Sequence, residues 1–470
     1  MTKLVVWGIG IVAGKKIYDE YKEKKAEKKR LQREMEEQMF SSSQNFSQSG
    51  AQGIMVNATG SSQAIPVIYG KTRTGGVRVY VHTEGTTGSG DDEIKNTYLH
   101  MAFAIAEGEV NKCSAIYFDD VEAGTCSSAG STDPGSWTIN SPWSSHVEMY
   151  FRPGTDSQTE ISQLATADGT AWDPHFKGIA YAYIRLKYEE EKWVNGVPTI
   201  TFDIEGKKVP ATSDGTSLSY SDNPARCILD YLVNDRYGKG IDPADIDLTS
   251  FASAETYCSG RFHTRGNLNT SATLYGNLFD LMTSCRGYIA FGNKYKLLID
   301  KVDTTPDEDI FAITEDNIIG NVSYSLGGKT GMYNKITAKY LNESKKYKDD
   351  VKVVDSPTLK TQDNGLTLET EISLPFTKTE TVVNQLLVEE INQSRQSHII
   401  SLKCTVDAVD LEVGDLVKVT NETFGITEKK FRVLETVIQA TSEVSLSLVE
   451  YDADVYGSSI ITDARDDDND

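Results

Sequence analysis

Basic residues are scarce in this chain, and histidine and cysteine number only six each. Lys and Arg total 47 against 69 Asp and Glu, a net charge of −22 over 470 residues. Affinity for nucleic acid comes mainly from Lys and Arg neutralising phosphates, so this balance argues against nucleic-acid binding, sequence-specific binding included. The same charge gives solubility, and it also suits a surface past which DNA moves without adhering. Apolar runs are short. Leu4–Ala13 (LVVWGIGIVA) has ten residues, about half of the roughly 20 a helix needs to span a bilayer. Only Lys3 stands as an n-region before it and the cleavage site is poor, so it is not read as a secretory signal.

The motifs of common catalytic and metal sites are missing too. The cysteines (Cys113, Cys126, Cys227, Cys258, Cys285 and Cys404) show no CxxC spacing, which excludes zinc ribbons and redox motifs of that type. Buried thiols are expected rather than disulfides. The histidines (His82, His100, His146, His175, His263 and His398) form neither HExxH nor HxH, so no zinc site is indicated. No GxSxG elbow occurs. Gly-Lys-Thr appears at 70–72 and 328–330, but a phosphate loop needs a glycine five positions before that Gly. Those positions hold Ile65 and Ser323, so both matches read as turns.

Carboxylates are abundant, notably Asp119-Asp120 and Glu189-Glu190-Glu191. A glycosidase needs two of them about 5–10 Å apart across a cleft, and charge runs of this kind are usually solvated faces. The Asp91-Asp92-Glu93 turn offers calcium ligands without the EF-hand order. Trp137, Trp143, Trp172 and Tyr150 either present a stacking surface for a sugar or partner, or pack in a core; core packing is the reading adopted. No catalytic, cofactor-binding or metal residue is assigned, and the chain is not read as an enzyme.

What is present is strand and turn composition: 23 Tyr, 15 Phe and 37 Gly. Residues 1–40 read as an apolar tip and a charged helix, and 41–62 as a Ser/Gly-rich linker. Residues 63–210 form a first β domain, with a hairpin signal at Gly75-Gly76 and a loop-rich surface insertion over about 119–177. A linker at 211–222 leads to a small α/β domain, 223–305. There Asn223 or Ser221 caps a helix ended by Gly238 and Gly240. Thr249 or Ser250 caps a second helix, 271–286 is a third, and Tyr288–Phe291 with Tyr295–Ile299 form a hairpin. Residues 306–457 are a second β domain with one helix near Thr377–Arg395 and a small-barrel pattern turning at Gly414-Asp415. Residues 458–470 are an acidic tail. The fold class is α+β, mainly β.

Four blocks in order resemble the J-like family of bacteriophage tail-hub proteins over about 63–457. They are IPVIYGKTRTGG with YLHMAFAIAEGEV; NGVPTITFDIEGKKV; SDNPARCILDYLVNDRYGKGI with FASAETYC and RGYIAFGNKYKLLID; and MYNKITAKYLNESKKYKDDVKVVDSP with LEVGDLVKVT and FRVLETVI. The Asn-Pro-Ala to Tyr-Gly-x-Gly-Ile block is the most specific. The resemblance implies two β-barrel-like hub domains flanking the α/β region, in a homotrimeric, pseudo-sixfold ring at the distal end of the tail in the virion, assembled in the host cytoplasm. It implies distal tail or tube protein, tape-measure protein and tip or fibre proteins as partners, and an opening for DNA exit. No fibronectin-like repeats follow the second β domain, so a separate receptor-binding protein is expected. A further hypothesis places residues 1–40 inside the tube. The rival readings are a glycan-binding adhesin using the Trp-bearing insertion and a cell-wall hydrolase.

Overall fold

Glycines that let two backbones touch decide where the first sheets cross. The computed structural model describes residues 64–87, 94–166, 175–189, 192–193, 197–326, 331–396, 398–439, 442–456 and 465–466. The expectations for residues 1–62, Asp91–Glu93, Trp172, Glu190-Glu191 and the Gly-Lys-Thr at 328–330 lie outside the described residues, as does the acidic tail apart from Arg465 and Asp466.

The chain enters through β1 (Val67–Tyr69), β2 (Lys71–Thr74), β3 (Val77–Thr87), β4 (Ile94–Glu107), β5 (Val110–Phe118), β6 (Val121–Thr125), β7 (Thr138–Ile139) and β8 (Val147–Arg152). After a short helix α1 (Ser162–Thr166) come β9 (Ile179–Lys187), β10 (Ile200–Pro210) and β11 (Leu218–Tyr220). Two sheets result: β11-β10-β5-β6-β7 with β2 on β10, and β3-β4-β9-β8. Strand alternation fills the core. Ala180, Ala182, Ile184 and Leu186 of β9 meet Phe202 and Ile204 of β10, while Tyr181 and Tyr183 turn to a smaller cluster with Tyr150, Ile161 and Leu164.

Three expectations change here. Gly75-Gly76 is not a hairpin, because β2 pairs with β10 and β3 with β4. The glycines instead pass the chain from one sheet to the other, Gly76 at φ 64°. The segment 119–177 is not a surface insertion throughout: β8 pairs with β9 along its whole length, and its Met149 and Phe151 are fully buried. Its many turn residues mask a short strand whose apolar side faces the core. Residues 211–222 are no linker, since β11 folds back on β10 from Lys208–Tyr220 to Pro210–Leu218.

The central region holds α2 (Pro224–Val233), α3 (Leu248–Cys258), β12 (Gly266–Leu268), α4 (Leu274–Thr283), β13 (Gly287–Phe291) and β14 (Tyr295–Ile299). Asn223 caps α2 by accepting from the Ala225 N–H, with Pro224 in the first turn. The cap of α3 is Asp247, not Thr249 or Ser250; its carboxylate accepts from both of their N–H groups. The third helix is shorter than 271–286 and starts after its cap Thr273. β13 and β14 form the expected hairpin.

Then follow β15 (Phe311–Ile313), β16 (Ser323–Leu326), β17 (Lys335–Asn342), β18 (Lys348–Asp355), α5 (Pro357–Gln362), β19 (Glu369–Ser373), α6 (Glu380–Ser394), β20 (His398–Cys404), β21 (Leu416–Asn421), β22 (Ile426–Ile438), β23 (Val444–Glu450) and β24 (Arg465–Asp466). One sheet runs β15-β21-β22-β23-β20-β16 and another β19-β17-β18-β24. The turn joining β21 to β22 is Glu422–Gly425; Gly414-Asp415 lies just before β21. α5 was not foreseen. Ser356 caps it, its hydroxyl accepting from the Leu359 N–H, and Pro357 starts its first turn.

The molecule is mainly β, and among the described residues no sheet closes into a barrel. The central helices do not pack alone. Ile228, Phe251 and Leu281 share one core with Ile336, Ala338 and Val354 of β17 and β18 and with Leu387 and Ile391 of α6. The six-stranded sheet has its own core around Val417, Phe431, Val433 and Leu448. Among the described residues no helix is long and apolar enough to cross a membrane.

Candidate interface surfaces

The residues that sequence alone singles out are mostly structural. Asp119 and Asp120 form the turn between β5 and β6, both with left-handed backbones (φ 48° and 65°). The Asp119 carboxylate accepts from the Thr199 N–H at 2.8 Å, and Asp120 faces Lys348 at 3.5 Å. Glu189 pairs with His146. Trp137 is buried and its indole donates to Thr132 at 3.0 Å; Trp143 packs edge-on against Phe118; Tyr150 is buried. Trp137 and Tyr150 are core, while Trp143 packs on that core and is partly exposed.

The histidines are paired rather than grouped. His100 Nδ1 lies 2.7 Å from the Tyr183 hydroxyl and Nε2 lies 3.1 Å from Glu84. Burial holds its imidazole below the usual value. His82 lies tilted beside His100, His263 pairs with Asp222, His398 meets Tyr324 and Glu450, and His175 gives its carbonyl to Gln158. Among the described residues no group of three or more His, Cys, Asp or Glu is placed to hold a metal ion. All six thiols are free and buried. At Gly70, φ is 58° and an added Cβ would stand 2.5 Å from the Thr264 carbonyl oxygen, so this Gly-Lys-Thr is a crowded turn.

Buried charges tie elements together. Arg286, itself left-handed at φ 55°, faces Asp300, Glu389 at 3.4 Å and Glu390 at 3.7 Å. It joins the β13–β14 hairpin to α6, and the Tyr456 hydroxyl donates to Asp300 from the far end of the chain. Asp230 of α2 accepts from the hydroxyls of Tyr69 (2.7 Å) and Tyr237 (2.6 Å). Such clusters fix geometry more than they add stability.

The side chains best placed for a partner are ones the sequence reading missed. Leu274, Tyr275 and Phe279 of α4 are 47%, 46% and 47% exposed. Tyr275 and Phe279 are one turn apart and form a continuous apolar strip. The adjoining face of α4 buries Leu278, Leu281 and Met282, so the exposed residues lie at the edges of the helix's apolar stripe. Beside the strip, burial pushes the Asp280 carboxyl up to about 6. The signal was readable in LYGNLFDLMT, whose six apolar residues make one stripe wider than the core contact alone covers.

No protein-family model matches the chain. In sequence it is 22% identical over 474 residues to baseplate hub protein pb3 of Escherichia phage T5, across 83% of this chain and 48% of that protein. It is 26% identical over 184 residues to tip attachment protein J of Escherichia phage SECphi27, across 35% of this chain and 15% of that protein. The chain thus spans less than half the length of either relative. In fold it matches a chain of the virion of a native gene transfer agent particle, with TM-score 0.61, 13% identity, and coverage of 88% of this chain and 91% of that one. The chain is thus similar in sequence to a phage baseplate hub protein and a phage tip attachment protein, and in fold to a chain of a virion particle.

Proposed function

We propose that the chain is the hub at the distal tip of a phage tail: a homotrimer that joins the tail tube to tape-measure and tip or receptor-binding proteins and opens for DNA exit. The observation that carries this reading is that similarity to a baseplate hub protein runs through 83% of the chain. Similarity limited to one module would fit any tail component. In this reading the sheet pair of β2–β11 and the sheet of β15, β16 and β20–β23 are the two barrel-like hub units of each subunit, with the helices between them. Three copies would then present six such units to a sixfold tube. The net charge of −22 suits a ring that DNA traverses, since carboxylates repel the phosphate backbone. Distal tail or tube protein and tip or fibre proteins would meet apolar surfaces such as the α4 strip. Assembly takes place in the host cytoplasm.

Gold-labelled antibody electron microscopy on particles carrying the protein tests this. Label at the tail end far from the head is the expected result. Label on the head or along the tube, or no association with particles, overturns it.

A further inference from the structure

The first β unit, formed by β2–β11, meets the helical core and its β17–β18 hairpin at several places, among them Val209 of β10 in the helical core and Arg236 on Glu107, and two of these contacts differ sharply in chemistry. At the first contact, β1 is shared. Val67 and Tyr69 lie in the core built by the helices, while Ile68, one residue between them, lies in the core of the first unit. Strand alternation makes one three-residue segment part of both interiors. Backbone crowding fixes it there: a Cβ on Gly206 of β10 would stand 2.3 Å from the Ile68 carbonyl oxygen, and the Gly206 N–H donates to the Gly70 carbonyl at 2.8 Å.

The second contact is polar, exposed at its lysines and half-buried at Tyr347. The turn between β17 and β18 reaches the turn between β5 and β6. Lys346 Nζ donates to the Asp120 carbonyl at 3.3 Å, and Lys348 lies 3.5 Å from the Asp120 carboxylate. Arg73 of β2 lies 3.4 Å over the Tyr117 ring, pairs with Asp203 at 2.8 Å, and stands over the Tyr347 ring 5.6 Å from its centroid. On its own side the β17–β18 turn is held by Glu343, which accepts from Arg265 at 2.8 Å and Thr379 at 3.1 Å. Left-handed backbone stands on both sides of the contact: Asp119 and Asp120 at φ 48° and 65°, Lys346 and Tyr347 at φ 58° and 59°. Non-glycine residues in that region carry strain that surrounding contacts must hold, and such strain collects at switch regions.

We propose that the Lys346–Tyr347 turn is a releasable latch on the Asp119–Asp120 turn, and that the two units swing apart there while β1 stays seated as the pivot. The magnitudes favour release at this end. The Lys348–Asp120 pair is exposed, and exposed ion pairs are weak and weakened further by added salt, while Arg73 keeps its buried pairing with Asp203 inside the first unit. Pulling β1 out would expose Val67, Ile68 and Tyr69, each fully buried, and so lose far more apolar burial than the latch holds. The latch rests on contacts within one chain and goes beyond the tail reading.

Hydrogen exchange on the full-length protein tests it, comparing wild type, the K346E/K348E double variant, and that variant combined with D120K to restore opposite charges. Exchange in peptides over 115–122 and 343–350 should rise by about ten-fold in K346E/K348E and with added salt, then return toward wild type in the charge swap. Peptides over 66–70 should stay as protected as before. Unchanged exchange in the two turns overturns the proposal, as does loss of protection in β1 together with the turns.

Discussion

Lys378 is 3% exposed, and its ammonium donates to the Pro375 carbonyl at 2.6 Å. Burial lowers its pKa from the usual 10.5 to about 8, with Asp349 opposing the shift. The sign of the stability effect follows. Below about pH 8 both folded and unfolded chains hold the proton, and folding bears the full cost of burying the charge. Between about 8 and 10.5 the unfolded chain binds more protons than the folded one, so stability rises with pH through that window. Lys378→Met should therefore raise stability at pH 7 by about 1–2 kcal/mol, a figure reduced because the Pro375 carbonyl loses its donor. It should also flatten the alkaline rise. Denaturant titrations of both proteins from pH 7 to 10 check this, and a variant less stable at pH 7 contradicts it.

At the scale of elements, Gly206 is the test of how tightly β10 lies on β1. Its φ is not in the left-handed region, so Ala at this position is excluded by contact alone: its Cβ would meet the Ile68 and Gly70 carbonyl oxygens at 2.3 and 2.9 Å. Backbone atoms cannot rotate away as a side chain can. Gly206→Ala should cost roughly 2–4 kcal/mol, seen as a drop in thermal midpoint. Gly292→Ala, at a hairpin tip with nothing within 4 Å, should leave the midpoint unchanged and serves as the control.

The same elements explain what the sequence made legible. α2 was readable because its signals are local: a cap at Asn223, Pro224 in the first turn, and an apolar stripe of Ile228, Leu229 and Leu232. The β13–β14 hairpin was readable for the same reason. Sheet partners were not local. Nothing in IPVIYGKTRTGG says that β2 will pair with β10, some 130 residues later, rather than with β3. The strand character of β8 was hidden among Ser, Pro and Gly, although Met149 and Phe151 already alternate with polar Glu148. No functional cluster was foreseen, and the surfaces that now stand out depend on contacts no motif encodes. Asp119-Asp120 could be read as a charge run, but its meeting with Lys346 and Lys348 joins positions more than 220 residues apart.

At the scale of the whole molecule, a structural component must expose what it uses to assemble, and the exposed apolar strip of α4 is a cost unless something covers it. α4 sits on the central core rather than at a chain end, and its inner side is anchored by Leu278, Leu281 and Met282. A charge placed on its outer side should therefore leave the fold intact while altering what docks. Phe279→Glu removes a large exposed ring next to Tyr275 and sets a carboxylate beside Asp280, whose carboxyl already resists ionisation because of burial. Aromatic anchors of this kind supply much of an interface's energy, so incorporation of F279E into particles should fall at least about ten-fold in a complementation assay. Circular dichroism and thermal midpoint of the purified variant should match the wild type. If F279E enters particles normally, the strip is surface and the assembly contacts lie elsewhere. If it unfolds, Phe279 supports the core despite its exposure, and Tyr275→Glu, one turn earlier at 46% exposure, then decides between the two.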